Sequence, residues 1–336
     1  MDRIKIGHGS GGLLTRKLIR EVFQKRFNNS ELLKESDGAT ISPGQFDLVV
    51  TTDAFVVDPL FFPGGDIGKM SVCGTINDLV VSGARPLYLT ASFILEEGLD
   101  IAILERITDS MAHEADLAGI PVIAGDTKVV PGGNADKLYI TTTGIGEKIP
   151  EFSHLSAISD ILPGDRILVS GPVGLHGAAI FASRFPDRIQ TDIRSDCASL
   201  LPLLGILKKW GKEIRFMRDA TRGGLATVLN EIADQQKWGL VIEESDVLVT
   251  KEVSGLCELS GLDPLYLANE GTMVLVVSSE GAEAICESMN RNPQGYQGIV
   301  IGECNMELPG RVKMRTRIGG SRILPMLSSD PLPRIC

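Results

Sequence analysis

The chain has 336 residues, of which 43% are hydrophobic and 23% are charged, and its formal net charge is −10. This length allows two ordinary domains with a sizeable core. The negative charge argues against broad electrostatic binding to nucleic acid or to an anionic membrane, so neither is expected as a partner.

Targeting and membrane signals are absent from the sequence pattern. The first residues, MDRIKIGHGSGG, lack the apolar core of a signal peptide, and no apolar run approaches the roughly 18–20 residues of a membrane span. The cysteines are scattered without the spacing of a disulfide framework or a zinc site. We therefore expect a cytoplasmic protein in which the internal cysteines are small core residues. The six are Cys73, Cys197, Cys257, Cys286, Cys304 and Cys336.

Helix and strand patterns alternate through the first half of the chain. Apolar residues at helical spacing predict helices, and β-branched runs predict strands. In chain order we expect a helix over 13–27, a strand over 47–52, a helix over 66–83, a strand over 86–93, a helix over 101–118, and strands over 120–125 and 137–143. The pattern loses its periodicity near 147–160, which predicts a boundary there.

The second half restarts with a strand over 165–171 and a glycine-rich turn. Further on we expect a helix from about Gly223, strands over 240–245, 272–279 and 298–304, and a helix over 282–289. From about 311 the chain becomes polar and rich in Gly and Pro. The prediction is an α/β (α+β) protein with domains 1–150 and 151–310 and a flexible tail, 311–336.

Four aspartates share a setting beside Gly, Thr or Asn: Asp37, Asp53, Asp78 and Asp126. Asp53 and Asp126 are predicted to end apolar strands, where α/β proteins place ligand groups. Several carboxylates held together suit Mg²⁺, which prefers oxygen ligands. The alternative for any one of them is a turn or helix-cap role.

A glycine-rich loop, GHGSGG (7–12), precedes the first predicted helix. Backbone N–H groups of Gly9, Gly11 and Gly12 can cradle phosphate at such a position. The loop has neither the Walker A nor the Rossmann spacing, so a flexible connection is the alternative. Lys128, two residues after Asp126, can pair with phosphate as a point charge.

Charged residues also stand at two junctions of the second half. Arg218, Asp219 and Arg222 precede a Gly-Gly helix start, and Glu270 follows Asn269 just before a strand. They are candidates for nucleotide contact or for a base; caps and surface pairs are the alternative. The four histidines follow no hydrolase triad order.

The chain ends on Cys336, shortly after two prolines that favour extended backbone. Such an end predicts an arm that carries one nucleophile, with a frayed terminus as the alternative.

Taken together, these motifs resemble one family, that of the hydrogenase maturation factor HypE, over essentially the full length and in order. The most specific is the terminal PRIC, which close relatives of different function lack. Ala220 departs from the pattern, which usually has proline there. The matching segments are GHGSGG (7–12), TTDAFVVDPLFFPGGDIGK (51–69), INDLVVSGARP (76–86), GDTKVV (125–130), MRDATRGGL (217–225), ANEG (268–271) and PRIC (333–336).

The resemblance implies the fold of aminoimidazole ribonucleotide synthetase and its relatives, with two α/β domains. It implies a homodimer whose N-terminal domains form a shared β-barrel, with Mg²⁺ and ATP bound near that interface. It assigns Mg²⁺–ATP to Asp37, Asp53, Asp78 and Asp126, and phosphate to Lys128. The glycines of the loop and Arg218 would complete the nucleotide site.

The resemblance also implies a reaction. The carbamoyltransferase HypF loads a carbamoyl group onto the Cys336 thiol, and the tail folds into the ATP site. ATP phosphorylates the amide oxygen, a base (Glu270 is the candidate) takes the remaining N–H proton, and phosphate leaves. The product is a C-terminal thiocyanate, whose cyanide reaches the iron of a [NiFe] hydrogenase through a HypC–HypD complex.

Two other readings compete. A related ATP-dependent enzyme would act on a diffusible substrate, as a selenophosphate synthetase or thiamine-monophosphate kinase does. The first would carry a reactive Cys in its N-terminal glycine-rich segment, where this chain has none before Cys73, and the second has no use for a terminal thiol. A scaffold that used Cys336 as a metal ligand would need further ligands, because structural zinc takes four.

Overall fold

The computed structural model describes residues 12–18, 20–21, 33, 39–41, 44, 46–155, 161–327 and 332–336. Within these residues the chain forms two main β-sheets and the helices that pack on them. None of the described helices is long and apolar enough to cross a membrane.

The first sheet has five strands in the order β1-β2-β7-β5-β6. Its strands are antiparallel except for the parallel pair β5 and β6. A short hairpin, β3 and β4, stands apart from this sheet. The strands are β1 (Ala39–Ile41), β2 (Leu48–Phe55), β3 (Phe61–Phe62), β4 (Gly65–Asp66), β5 (Ala84–Glu96), β6 (Val122–Val130) and β7 (Leu138–Lys148).

The second sheet has seven strands in the order β14-β13-β10-β12-β8-β11-β9. Only β10 and β13 run parallel. The strands are β8 (Arg166–Val169), β9 (Ile214–Asp219), β10 (Gly239–Glu243), β11 (Met273–Val277), β12 (Ile299–Asn305), β13 (Val312–Arg315) and β14 (Ser321–Leu324).

The helices are α1 (Leu13–Leu18), α2 (Ile67–Val81), α3 (Ile101–Ala118), α4 (Leu175–Arg184), α5 (Leu201–Leu207), α6 (Gly224–Asp234), α7 (Lys251–Ser260) and α8 (Ala282–Asn290). Helix α2 is buried nearly all round, because it packs on β2, β5 and β7 and also meets β9 and α5. The carboxylate of Asp66 caps its N-terminus by accepting from two backbone N–H groups. Helix α2 therefore joins the two halves.

The core follows the same arrangement. One apolar cluster runs from Phe55 and Ile67 through Leu207 and Leu275 to Ile335, near the chain end. A second cluster fills the space between the seven-stranded sheet and α6. Since the first cluster draws residues from both sheets, the two halves share a core. Four internal cysteines are buried and Cys286 is half-buried, all with free thiols, which confirms their prediction as core residues.

Most predicted elements are confirmed. Helix α3 has the predicted bounds, and the predicted helix over 13–27 is seen as α1, with most of its remainder outside the described residues. Helix α4 was missed because the glycine-rich segment PVGLHG reads as a turn. Gly174, with φ 84°, ends that turn and leads into the helix.

The predicted flexible tail begins too early. Residues 312–315 and 321–324 form β13 and β14, in which Val312, Met314 and Leu324 are buried. The sequence VKMR alternates apolar and charged residues, which is the period of a half-buried strand. Its two charged residues make the segment look like polar tail, so the strand was not predicted. Only the described end, residues 332–336, corresponds to the predicted arm; we call it the carrier tail.

The edge strand β6 is unusual because both of its faces are exposed from Val122 to Val129. Ile123 and Val129 expose 55% and 65% of their surface. An exposed edge strand with apolar side chains is typical of a surface that pairs with another chain.

Candidate active site

The segment before β11 carries Asn269 and Glu270, and polar side chains hold its backbone. Asn269 accepts through Oδ1 from the Gly174 N–H at 2.7 Å and donates through Nδ2 to the Ala220 carbonyl at 2.9 Å. From α2, the Asn77 amide donates to the Glu270 carbonyl at 3.4 Å. These bonds fix where the Glu270 side chain begins.

Asp196 holds the same segment from the other side. Its Oδ1 accepts from the Glu270 N–H at 3.0 Å, and its Oδ2 accepts from the Gly271 N–H at 3.1 Å and from Thr272 Oγ1 at 3.0 Å. Burial raises the pKa of Asp196, although these hydrogen bonds act in the opposite direction.

The Glu270 carboxyl group is buried, with 2% of the residue exposed, and Oε1 has no hydrogen-bond partner among the described residues. Burial raises its pKa well above the usual value, and the charges of Asp219, Asp196 and Asp53 raise it further. Arg222 acts in the opposite direction. A buried carboxyl group whose pKa is raised in this way is a candidate for general acid–base chemistry.

Asp53 and Asp78 belong to the same site. Thr51 Oγ1 donates to Asp78 Oδ2 at 2.6 Å, so this side of β2 faces α2. Alternate residues of a strand share a face, so Asp53 also faces α2. The prediction that Asp53 and Asp126 end their strands is wrong. Both lie inside strands, because pairing continues past the apolar runs to Phe55 and Val130.

Arg222 stands where the chain turns into α6. Gly223 and Gly224 have φ 74° and 61°, and a Cβ at Gly224 would lie 2.4 Å from the Leu267 carbonyl oxygen. Only glycine fits that approach. Cys336 raises the pKa of the Arg222 guanidinium, with help from Asp53, Glu270 and Asp78, and burial opposes them. Arg222 therefore links the chain end to the carboxylates.

The carrier tail is docked at this site. The Val56 N–H donates to the backbone carboxylate oxygen of Cys336 at 3.0 Å, and the Asp58 N–H donates to the Arg334 carbonyl at 3.2 Å. Leu332 and Ile335 are buried in the core, with 6% and 3% exposed. The tail thus lies along the segment that follows β2, as an added strand does.

Asp126 and Lys128 lie elsewhere in this chain. Both are exposed on β6, where Lys128 Nζ donates to Asp126 Oδ2 at 2.6 Å and lowers the pKa of Asp126. Across the sheet, Asp53 of β2 is paired through β7 and β5 with Gly125 of β6. Three strand spacings, or about 14 Å, therefore separate the backbone of Asp53 from that of Gly125, next to Asp126. Among the described residues, no group of three or more His, Cys, Asp or Glu is placed to hold a metal.

The remaining predicted residues have these positions. Gly9, Gly11 and Asp37 lie outside the described residues. Gly12 is buried, and its carbonyl accepts from the Arg16 N–H at 3.1 Å in the first turn of α1. Arg218 pairs with Glu231 of α6 at 2.5 Å.

Sequence reasoning missed Asp196 and Asn77 as supports of Glu270. Asp196 lies in no recognisable motif, and in the segment INDLVVSGARP (76–86) it selected Asp78 and passed over its neighbour Asn77. It named Arg222 only as a junction residue and selected Arg218 in the same RDATRGG segment. The left-handed glycine pair after Arg222 is the signal that could have separated them, because it fixes how the chain turns there.

Comparison with known proteins gives a consistent picture. The AIR synthase related protein family matches in two parts, its N-terminal domain over residues 35–147 and its C-terminal domain over 163–309. The carbamoyl dehydratase HypE of Rhodobacter capsulatus is 47% identical over 338 residues, which cover 100% of this chain and 98% of that protein.

Two solved structures are also similar. HypE in complex with ATP matches with a TM-score of 0.81 and 42% identity, over 99% of this chain and 100% of that one. A HypE–HypF complex matches with a TM-score of 0.86 and 42% identity, over 92% of this chain and 99% of that one.

Proposed function

This chain belongs to the HypE family of carbamoyl dehydratases, which act in hydrogenase maturation, and we propose that it converts its own terminal cysteine from S-carbamoyl to thiocyanate. The reaction uses ATP and yields ADP and phosphate. The cyanide group so formed is the ligand destined for the iron of a [NiFe] hydrogenase.

The observation that carries this proposal is the position of Cys336. The Val56 N–H holds the Cys336 backbone oxygen at 3.0 Å, three residues beyond Asp53, and Cys336 is the largest cause that raises the pKa of the Arg222 guanidinium, with smaller contributions from Asp53, Glu270 and Asp78. A covalent carrier has to bring its load to the groups that do the chemistry. Here Cys336 and the buried Glu270 carboxyl group both act on the same guanidinium, that of Arg222.

The proposed chemistry assigns a role to each group. Cys336 carries the carbamoyl group through its sulfur. The amide oxygen, a poor leaving group, attacks the terminal phosphorus of ATP and later departs as phosphate. Glu270 takes the remaining N–H proton, and Arg222 stabilises negative charge that develops beside the tail.

ATP and Mg²⁺ fit the residues present. Asp53 on β2 and Asp78 on α2 lie where these two elements face each other, and Mg²⁺ is usually held by one or two carboxylates together with substrate phosphates. When bound, the ion would neutralise phosphate charge during phosphoryl transfer. The Oε1 atom of Glu270 has no hydrogen-bond partner among the described residues, which leaves this carboxyl group available for the proposed proton transfer. ATP binding by a 42% identical HypE supports the nucleotide assignment.

Asp126 and Lys128 complete this proposal only through a second copy of the chain. Their strand, β6, is exposed on both faces at the edge of the first sheet. We propose that two N-terminal domains, 1–150, join there as a homodimer and that Lys128 then contacts phosphate. Domain 151–310 supplies Arg222 and Glu270. Asp37, Gly9 and Gly11 stay in the proposed nucleotide site.

The partners follow from the reaction. A carbamoyltransferase must load Cys336, and the HypE–HypF complex supports HypF in that role. A HypC–HypD complex is proposed to accept the cyanide. The proposed location is the cytoplasm, where thiols stay reduced.

The proposal is tested by weighing the C-terminal peptide. The full-length protein is first loaded with HypF, carbamoyl phosphate and ATP. The loaded protein is then incubated either with ATP or with a non-hydrolysable ATP analogue. We expect a carbamoyl adduct on Cys336 that loses one water only with hydrolysable ATP. Cys336→Ala should show neither adduct while still binding ATP. No ATP-dependent loss of water in the wild type would contradict the proposal.

A kinase or selenophosphate synthetase acting on a diffusible substrate is less well supported. Such an enzyme would leave its substrate site open, whereas here the protein's own Cys336 lies beside Arg222. No observation favours a scaffold role for the terminal thiol.

A further inference from the structure

We infer that helix α4 is a clamp for the carrier tail, in which His176 and Arg184 hold three successive backbone carbonyl groups and so position Cys336. His176 lies in the first turn of α4 and Arg184 is its last residue. Both are positioning residues, since they act through the tail. Their effect on dehydration rests on the proposed function; their effect on docking does not.

Arg184 ties the tail to the segment beside it. Its Nη2 atom donates to the Pro333 carbonyl at 2.7 Å and to the Arg334 carbonyl at 2.6 Å. Its Nε atom donates to the Asp58 carbonyl at 2.9 Å, and Asp58 in turn donates its N–H to Arg334. The planar guanidinium thus bridges two strands of backbone with a fixed geometry that a lysine does not offer.

A kink in the tail makes this contact possible. Successive carbonyls of an extended strand point to opposite sides, so one guanidinium nitrogen does not reach two of them. Arg334 has φ 59°, a left-handed conformation that non-glycine residues rarely adopt. The turn brings the carbonyls of Pro333 and Arg334 to the same nitrogen. The guanidinium group of Arg334 itself pairs with the Asp136 carboxylate and lies 4.0 Å from the Asp58 carboxylate.

His176 holds the next carbonyl. Its Nε2 atom lies 2.6 Å from the Ile335 carbonyl oxygen, and its Nδ1 atom lies 2.8 Å from Ser195 Oγ. Because Ser195 Oγ accepts from the Cys197 N–H at 3.0 Å, its own hydrogen is free to donate to Nδ1. Nε2 then carries the ring proton and donates to the tail.

The state of the ring agrees with this pattern. His176 is fully buried, and this burial lowers the pKa of its imidazole to about 4. The hydrogen bond to Ile335 raises the pKa, and the charge of Arg184 lowers it by a smaller amount. The imidazole is therefore neutral at pH 7, with one donor and one acceptor. Its ring also meets Phe62 edge to face at 5.3 Å.

One loop connects the clamp to the proposed base. Ser195 bonds His176, and its neighbour Asp196 bonds the Glu270 N–H. The residue that supports His176 and a residue that holds Glu270 are therefore neighbours in one loop. The clamp also binds backbone carbonyl groups of the tail and does not bind the thiol. The same hydrogen bonds can therefore hold the tail whether Cys336 is free, carbamoylated or dehydrated.

The clamp is tested by the rate at which iodoacetamide alkylates Cys336 in the folded, full-length protein, measured on the C-terminal peptide. Arg184→Ala should raise that rate about tenfold or more, because a hydrogen bond to a charged group is typically worth that much. The matched control is Arg188→Ala, four residues on at an exposed position, and it should leave the rate unchanged. An unchanged rate in Arg184→Ala would overturn the clamp.

His176 gives a second, independent reading. His176→Gln keeps an N–H donor near the position of Nε2 and should retain most of the protection, whereas His176→Ala should lose it. Equal protection in both variants would overturn the role of His176, and thermal unfolding checks that both are folded.

The two proposals fail separately. Alkylation needs neither ATP nor HypF, so it reports docking even if the wild type fails to dehydrate its carbamoyl group. If dehydration occurs, Arg184→Ala should lower its rate while loading by HypF stays at the wild-type rate. Slower loading with normal dehydration would contradict a role in positioning.

Discussion

The backbone N–H of Glu270 donates to Asp196 Oδ1 at 3.0 Å, while the Oε1 atom of Glu270 has no hydrogen-bond partner among the described residues. The backbone is therefore held in place and the carboxyl group stays free to exchange a proton. This combination suits a base whose position matters more than its resting contacts.

Replacing that carboxyl group should stop the proton transfer. We expect Glu270→Gln to lower the rate of dehydration of S-carbamoyl-Cys336 by about 10²–10⁴, the usual contribution of a general base. Loading by HypF should continue, so the carbamoyl adduct accumulates in a mass measurement. Glu283→Gln on the exposed face of α8 is the control. Normal dehydration in Glu270→Gln would exclude Glu270 as the base.

The same variant should change stability with pH. Because the folded protein raises the pKa of Glu270 above its usual 4.5, the folded state binds this proton more tightly than the unfolded state. The free energy of unfolding therefore falls as pH rises above 4.5. Glu270→Gln escapes this loss and should be more stable at pH 7 by on the order of 1 kcal/mol. Urea unfolding at pH 4 and pH 7 measures the difference; a less stable variant at pH 7 would contradict it.

His176 should give the opposite pH dependence. Its pKa of about 4 in the folded protein lies below the usual 6.5, so the unfolded state binds the proton first as pH falls. Stability is complete above pH 6.5 and declines toward pH 4, by about 3 kcal/mol. In His176→Gln the decline between these pH values should be shallower by roughly that amount. Parallel curves for variant and wild type would show that His176 does not stay neutral.

The homodimer proposed above would be held together by the exposed edge strand β6. We expect Ile123→Asp on β6 to give a monomer in light scattering, because it places a charge on an exposed apolar strand. Leu259→Asp, at a residue that is 91% exposed on α7, is the control and should leave the dimer intact. If Lys128 serves the site of the second copy, the monomer should also lose dehydration. A dimeric Ile123→Asp protein would exclude β6 as the interface.

How far the sequence predicts this molecule depends on the element. Helix α3 was predicted with its bounds. The structure shows why they are sharp, because Asp100 caps its start and Gly119 ends it in a left-handed conformation. Helix α4 was not predicted, because it begins inside the glycine-rich segment PVGLHG, which reads as a turn. Strands β13 and β14 were read as tail, since four-residue strands carry too little alternation to stand out.

The site divides in the same way. Glu270 and Cys336 were selected from their segments, and the structure brings both to Arg222. Arg222 itself, Asp196 and His176 depend on contacts between residues far apart in the chain, such as His176 with Ile335. No local pattern encodes such contacts. The terminal cysteine suggested an arm, and the structure adds the hydrogen bonds from Val56, His176 and Arg184 that hold its end.

The central claim is that the carbamoyl oxygen on Cys336 is activated by phosphorylation at the site where the tail docks. It is tested most directly by loading Cys336 with a carbamoyl group that carries a heavy oxygen isotope and adding ATP. The account predicts that the label appears in the released phosphate and that a thiocyanate remains on the C-terminal peptide. Unlabelled phosphate, with the heavy oxygen released into water, would contradict it.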